Sequence, residues 1–132
     1  MTLIDTNVLL DLVTNDPVWS RWSIEQLDAA ALRGPLVIND VVYAELAVRY
    51  QQIELLDDFL DEVGLEIRPI PRAALFLAGK IFQDYRKSGG SRTGVLPDFF
   101  IGAHAAIEDL DLLTRDTKRY RTYLPGVRLI AP

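Results

Sequence analysis

Val95-Leu96-Pro97-Asp98-Phe99-Phe100-Ile101-Gly102-Ala103-His104-Ala105-Ala106 is the stretch on which the reading of the chain turns. From Phe99 to Leu110 the residues are apolar on almost every side, which predicts a helix buried in a core rather than laid on a surface. Pro97 suits the first turn of that helix, because its fixed φ matches the helix and its missing N–H is not needed there. Asp98 is then one carboxylate at the mouth of an apolar helix. Standing alone it needs no more explanation than the helix dipole, an effect worth about 0.3–1 kcal/mol. Three further acids, each at the edge of an apolar run, give it another meaning.

Downstream, Leu112-Leu113-Thr114 reads as a buried strand with Arg115-Asp116 at its end. Asp116 to Tyr123 reads as a short basic helix, and Val127 to Ile130 as a last strand. Upstream, Ser88 to Gly94 reads as a flexible loop. It lacks the Lys-Ser/Thr ending of a phosphate-binding loop and does not follow a strand, so it is not read as one. A long helix is expected from Pro71 to Lys87, and Leu65 to Ile70 is a strand near an edge, since Pro69 cannot donate to a ladder. Ile53 to Val63 is an acidic amphipathic helix, and Val41 to Tyr50 is a helix capped by Asn39-Asp40. Leu36-Val37-Ile38 is a buried strand, Pro17 to Leu32 a helix, and Leu3-Ile4 a first short strand. Asp5-Thr6-Asn7 then opens a helix, so Asp5 has an ordinary use as its cap. Glu45 likewise has an ordinary partner in Arg49, one helical turn on. His104, six residues beyond Asp98 on the buried helix, reads as a packed core histidine.

Short apolar strands alternating with helices predict one α/β domain over residues 1–132, an α/β/α sandwich around a mostly parallel sheet. In such folds helices begin at the carboxyl edge of the sheet, where ligands bind. Asp5 and Asp116 follow strands, Asp98 begins a helix, and Glu45 lies near the start of one. Topology therefore gathers all four at one edge.

The totals narrow the chemistry. The chain has no cysteine and one histidine, which excludes disulfides, a thiolate metal site and a multi-histidine zinc site. No signal-peptide pattern or membrane-length apolar run is present, so the expected compartment is the cytoplasm. Net charge is −5, unpromising for a nucleic-acid partner. The distribution is uneven: residues 1–79 carry 5 basic and 13 acidic side chains, a balance of −8, whereas residues 80–121 carry 8 and 6, a balance of +2. Arg86, Lys87, Arg92, Arg115, Lys118 and Arg119 thus share a third of the chain with Asp98 and are candidates for holding an anionic ligand.

Four carboxylates converging with no lysine or arginine between them repel one another, by about 3 kcal/mol for a pair about 5 Å apart at an effective dielectric near 20. Such a cluster persists if it holds divalent cations. Oxygen-only ligation selects Mg2+ or Mn2+ over zinc. A cation held this way, with water in its open positions, suits phosphodiester hydrolysis.

The same residues carry a resemblance. Ile4-Asp5-Thr6-Asn7-Val8-Leu9-Leu10, Val42-Tyr43-Ala44-Glu45-Leu46, Leu96-Pro97-Asp98-Phe99-Phe100-Ile101-Gly102-Ala103-His104-Ala105 and Leu113-Thr114-Arg115-Asp116 resemble, in order, the four motifs of PIN-domain ribonucleases. The chain's size and the wording around Asp98 are most similar to the VapC-type toxins of bacterial toxin–antitoxin pairs. The resemblance spans residue 3 to about residue 130. It implies a five-stranded sheet of order 3-2-1-4-5 and a Mg2+- or Mn2+-dependent endoribonuclease acting on tRNA or other structured or single-stranded RNA. It implies a VapB-type antitoxin as partner and a homodimer. By motif position, Asp5 and Asp98 match the principal metal ligands, and Glu45 and Asp116 the acids that complete the cluster. Thr6, Asn7 and Thr114 match polar neighbours that orient ligands or waters. Two other readings remain open: an aspartate-dependent phosphatase or phosphotransferase, which would want an acid where Asn7 stands, and a non-catalytic module that binds RNA or protein.

Overall fold

The computed structural model describes residues 1–92 and 94–132; Thr93, within the expected loop 88–94, lies outside them. Five strands alternate with seven helices among the described residues. In chain order these are β1 (Thr2–Ile4), α1 (Thr6–Val13), α2 (Ser20–Arg33), β2 (Leu36–Ile38), α3 (Asp40–Ala47) and α4 (Ile53–Val63). They continue with β3 (Leu65–Ile67), α5 (Arg72–Lys87), α6 (Leu96–Glu108), β4 (Asp111–Leu113), α7 (Lys118–Tyr123) and β5 (Leu129–Ile130). The sheet order is β3-β2-β1-β4-β5, and every pairing is parallel. Because parallel neighbours need a crossover, each strand is joined to the next through helix, and both faces of the sheet are covered. β1, β2 and β4 are accordingly buried on both faces, and Leu3, Ile4, Ile38, Leu112 and Leu113 are wholly inaccessible to solvent.

Several element boundaries differ from the sequence expectation, each for a local reason. The helix expected from Pro17 begins only at Ser20, because the Asp16 carboxylate accepts from the backbone N–H groups of Val18 and Trp19, both at 2.8 Å, and holds a turn there. The helix expected from Asp116 begins at Lys118; the Asp116 N–H donates instead to the Thr114 hydroxyl at 3.1 Å. α6 starts three residues earlier than expected and stops at Glu108, where Asp109 turns left-handed at φ 55° and the Leu110 N–H closes on the Ala105 carbonyl. α3 ends at Ala47 rather than Tyr50. β3 ends at Ile67, just before Pro69, and β5 is confined to Leu129–Ile130. No helix among the described residues is long and apolar enough to cross a membrane.

α6 is the central helix, as its sequence requires: Phe99, Ile101, Gly102, Ala103, His104 and Ala105 are all buried. Phe99 packs edge-on against Tyr123 and Tyr85, with ring centroids 5.3 and 5.8 Å away, and so ties α6 to α7 and α5. His104 is indeed a core residue. Asn39 caps α3 through its carbonyl oxygen, so its amide N–H donates to His104 Nδ1 at 3.2 Å; the imidazole then donates from Nε2 to Glu108 at 2.7 Å. That relay joins α3, which carries Glu45, to α6, which carries Asp98.

Gly102 sets how closely α7 approaches α6. A Cβ there would lie 2.2 Å from Leu124 Cδ1 and 3.0 Å from the Tyr120 ring. Gly102→Ala should therefore cost about 1–3 kcal/mol, as for overpacking generally, even though alanine favours the helix. Chemical denaturation checks the loss, and a variant as stable as wild type would mean that α7 is not seated by this contact.

Candidate active site

The sheet reverses its strand order between β1 and β4, and the crevice at their carboxyl ends collects the polar side chains. β1 delivers Asp5, which is 3% exposed. It is a helix cap, as its sequence context suggests, and more besides. Its Oδ1 accepts from the Thr6 N–H at 2.8 Å, which opens α1. Its Oδ2 accepts from the hydroxyls of Thr114 at 2.8 Å and Tyr120 at 2.9 Å. With two hydroxyl donors on Oδ2, the spare acceptor capacity of this carboxylate lies on Oδ1.

Asn7 sews the ends of β1 and β4 together. Its carbonyl oxygen accepts from the Arg115 N–H at 3.1 Å, and its amide faces the Thr114 hydroxyl at 3.3 Å and Asp5 Oδ2 at 3.4 Å. Glu45 does not pair with Arg49; it accepts from the Thr6 hydroxyl at 2.7 Å, reaching from α3 to α1. Asp98, in the first turn of α6, is paired with the Arg119 guanidinium of α7. The expectation of acids with no basic side chain among them is thus corrected: α7 runs past the mouth of α6, and Arg119 reaches in.

Burial pushes the Asp5 carboxyl up to about 6; the Thr114 and Tyr120 hydroxyls oppose this, and the charge of Asp98 adds to it. Burial also raises Glu45, against the Thr6 hydroxyl and together with Asp98. Asp98 itself is raised by burial and by Asp116, with Arg119 working the other way. Asp98 thus acts on Asp5 and Glu45, and the exposed Asp116 acts on Asp98.

The donor set suits a hard divalent cation, being carboxylate, hydroxyl and amide oxygen with no thiolate and no accessible imidazole. Among the described residues, however, no three acidic or histidine side chains are already gathered closely enough to hold a metal ion as they are oriented. Thr6 holds Glu45 and Arg119 holds Asp98. The residues fit such a cation by the chemistry of their donor atoms.

Of the expected basic side chains, Arg92, Lys118 and Arg119 line a cleft of about 350 Å³ beside the acids, together with Asp116, Thr122 and Tyr123. Arg86 and Lys87 are exposed in the last turn of α5, with Arg86 over the Phe82 ring at 5.8 Å. Arg115 is otherwise engaged: Nε and Nη2 grip Asp11 at 2.7 and 2.8 Å, and the guanidinium lies 5.0 Å from the Trp19 ring centroid. Asp11 is buried and also accepts from Ser23 at 2.7 Å, so this bidentate pair anchors the β4 loop to α1 and α2.

Besides Arg119 on Asp98 and Thr6 on Glu45, two more partners were not foreseen from the sequence, Tyr120 on Asp5 and Asp11 on Arg115. Tyr120 stands in the apolar row of a short basic helix and gives no local sign of its hydroxyl's target. Asp11 lies one turn beyond Asn7 on α1, and its place in an apolar stretch is the one sequence signal that could have shown its need of a partner.

The chain matches the PIN-domain family model over residues 2–124. No curated protein matches it by sequence. Among solved structures it is similar to VapBC2 from Rickettsia felis bound to a promoter DNA fragment, with TM-score 0.75 and 21% identity, covering 99% of this chain and 98% of that one. A toxin–antitoxin complex from Klebsiella pneumoniae matches with TM-score 0.69 and 25% identity over 96% and 95%. FitAcB from Neisseria gonorrhoeae matches with TM-score 0.70 and 22% identity over 98% and 96%.

Proposed function

The chain belongs to the PIN-domain family, and from that premise we propose that it is the toxin of a type II toxin–antitoxin pair, an endoribonuclease dependent on Mg2+ or Mn2+. The observation that supports the chemistry is the set of contacts at the strand-order reversal, where Asp5 takes the Thr114 and Tyr120 hydroxyls, Glu45 takes the Thr6 hydroxyl, and Asp98 pairs with Arg119 beside Tyr120. The partner is inferred from the similar structures, one of which is a toxin–antitoxin complex. A small VapB-type antitoxin would restrain this chain, which acts as a homodimer in the cytoplasm on tRNA or another structured or single-stranded RNA.

Asp5 and Asp98 are the principal ligands, and Glu45 and Asp116 complete the set. A bound divalent cation supplies an activated water and neutralises charge growing on the phosphate and leaving oxygen. Thr114 and Tyr120 fix the Asp5 carboxylate so that its free lone pair faces one way. Thr6 orients Glu45, and Asn7 holds the β1 and β4 ends in register. Burial of Asp5 and Glu45 keeps competing water from their carboxylates and strengthens their hold on a cation. The P–O3′ bond breaks as the water oxygen bonds to phosphorus, leaving a 5′-phosphate and a 3′-hydroxyl.

Bulk RNA incubated with Mn2+, set beside p-nitrophenyl phosphate, tests the reading. RNA should be cut in Mn2+ and spared in EDTA, with the monoester untouched; hydrolysis of the monoester alone would replace the nuclease with a phosphatase. The flanking cations give a further expectation. Reversing Arg92 and Lys118 to Glu should weaken binding of a labelled RNA and flatten its salt dependence, while stability changes by no more than about 0.5 kcal/mol, as at ordinary surface positions. Unchanged affinity would mean that these cations only face solvent.

A further inference from the structure

We propose that Arg119 is an internal counter-ion of Asp98 that is exchanged for a divalent cation on loading, and that its released guanidinium then binds a phosphodiester group in the adjoining cleft. The inference rests on the proposed metal site and adds a role for one residue of α7. Three observations carry it. Arg119 is paired with Asp98, the acid whose charge acts on both Asp5 and Glu45. Both partners are about a quarter exposed, at 24% and 26%, so the pair can open without unfolding anything around it. Finally, Arg119 already borders a cleft of about 350 Å³ that also presents Arg92, Lys118 and the Thr122 hydroxyl, a set of donors suited to phosphate oxygens.

The two halves of the exchange are linked. A guanidinium and a divalent cation cannot both occupy the carboxylate face of Asp98 without strong repulsion. While Arg119 serves Asp98, the cleft presents Arg92 and Lys118, neither of them in a salt bridge among the described residues, beside the Asp116 carboxylate; once released, Arg119 makes a third cation. Cation binding at the acids and anion binding in the cleft therefore favour each other, and by linkage the coupling is reciprocal. Tyr120, the next residue, stays on Asp5 throughout, so α7 need not move for Arg119 to swing.

Calorimetric titration with Mn2+ of the wild type, Arg119→Gln and Lys118→Gln tests the first half. A charged hydrogen-bonded pair that must be broken before loading implies binding about tenfold tighter in Arg119→Gln. Lys118→Gln removes the same charge from the same cleft without touching Asp98, and its affinity should stay within about twofold of wild type. Equal or weaker binding by Arg119→Gln, or equal tightening in both variants, overturns the exchange while leaving the metal site standing. Absence of Mn2+ binding in all three proteins overturns both the exchange and the reading beneath it. The second half is read by NMR with sulfate as probe. Sulfate should shift the Arg119 side-chain Nε–H resonance in saturating Mg2+ and leave it in place without metal; the same response in both conditions overturns the release of Arg119.

Discussion

Asp5→Asn should lower RNA cleavage by on the order of 10²–10³-fold, the scale of removing one preorganised electrostatic contact to the transition state, while leaving the fold intact. The substitution keeps the volume of the side chain. Its carbonyl can still cap Thr6, and its amide can meet the Thr114 and Tyr120 hydroxyls, which rotate to accept rather than donate. What is lost is the negative charge and one anionic ligand. Asp98→Asn should be equally inactive but less clean, because it leaves the partly buried Arg119 without its partner. Wild-type cleavage by well-folded Asp5→Asn would remove Asp5 from the chemistry.

The metal-free protein should lose roughly 2 kcal/mol of stability between pH 4 and pH 7, because burial on folding raises the Asp5 carboxyl from its ordinary 3.8 to about 6. The sign follows from proton binding. A carboxyl raised on folding is bound to its proton more readily by the folded chain, so its contribution is full below 3.8 and is lost as pH rises through about 6. Glu45 and Asp98 are raised as well and push in the same direction. In a domain of 132 residues the loss amounts to several degrees in Tm. Mn2+ should restore it at pH 7, since a ligand bound only by the folded state stabilises by mass action. Asp5→Asn should lack both the pH-dependent loss and most of the rescue. Thermal melts across this pH range, with and without Mn2+, check the expectation; a wild-type melting point that neither falls with pH nor rises with metal contradicts it.

Much of this architecture was legible in the residues themselves. The unbroken apolar runs of β1, β2 and β4 specify strands buried on both faces, and helices between them specify a parallel sheet. The strand order itself came from the resemblance, because short apolar strands carry no information about which neighbour each will choose. The edge to which Asp5, Glu45, Asp98 and Asp116 belong was readable because topology puts the strand ends and the helices that follow them there, although among the described residues no three of these acids are gathered as a metal-holding group. What escaped was the set of partners of those acids. Arg119 and Tyr120 are ordinary helix residues in sequence, and their targets depend on how far α7 sinks against Gly102. Glu45 similarly chose Thr6, on another helix, over the Arg49 offered by its own. Local pattern gives the period of an element; the contacts between elements are set by packing that no short window contains.

The most direct test of the account is the chemistry of the cut ends. RNA digested by the protein in Mn2+ should carry 5′-phosphates and 3′-hydroxyls, and no digestion should occur in EDTA, because a water held at the acids is the nucleophile. Products ending in a 2′,3′-cyclic phosphate, formed undiminished in EDTA, would mean that the ribose hydroxyl attacks without metal and that Asp5, Glu45, Asp98 and Asp116 do not perform the reaction assigned to them.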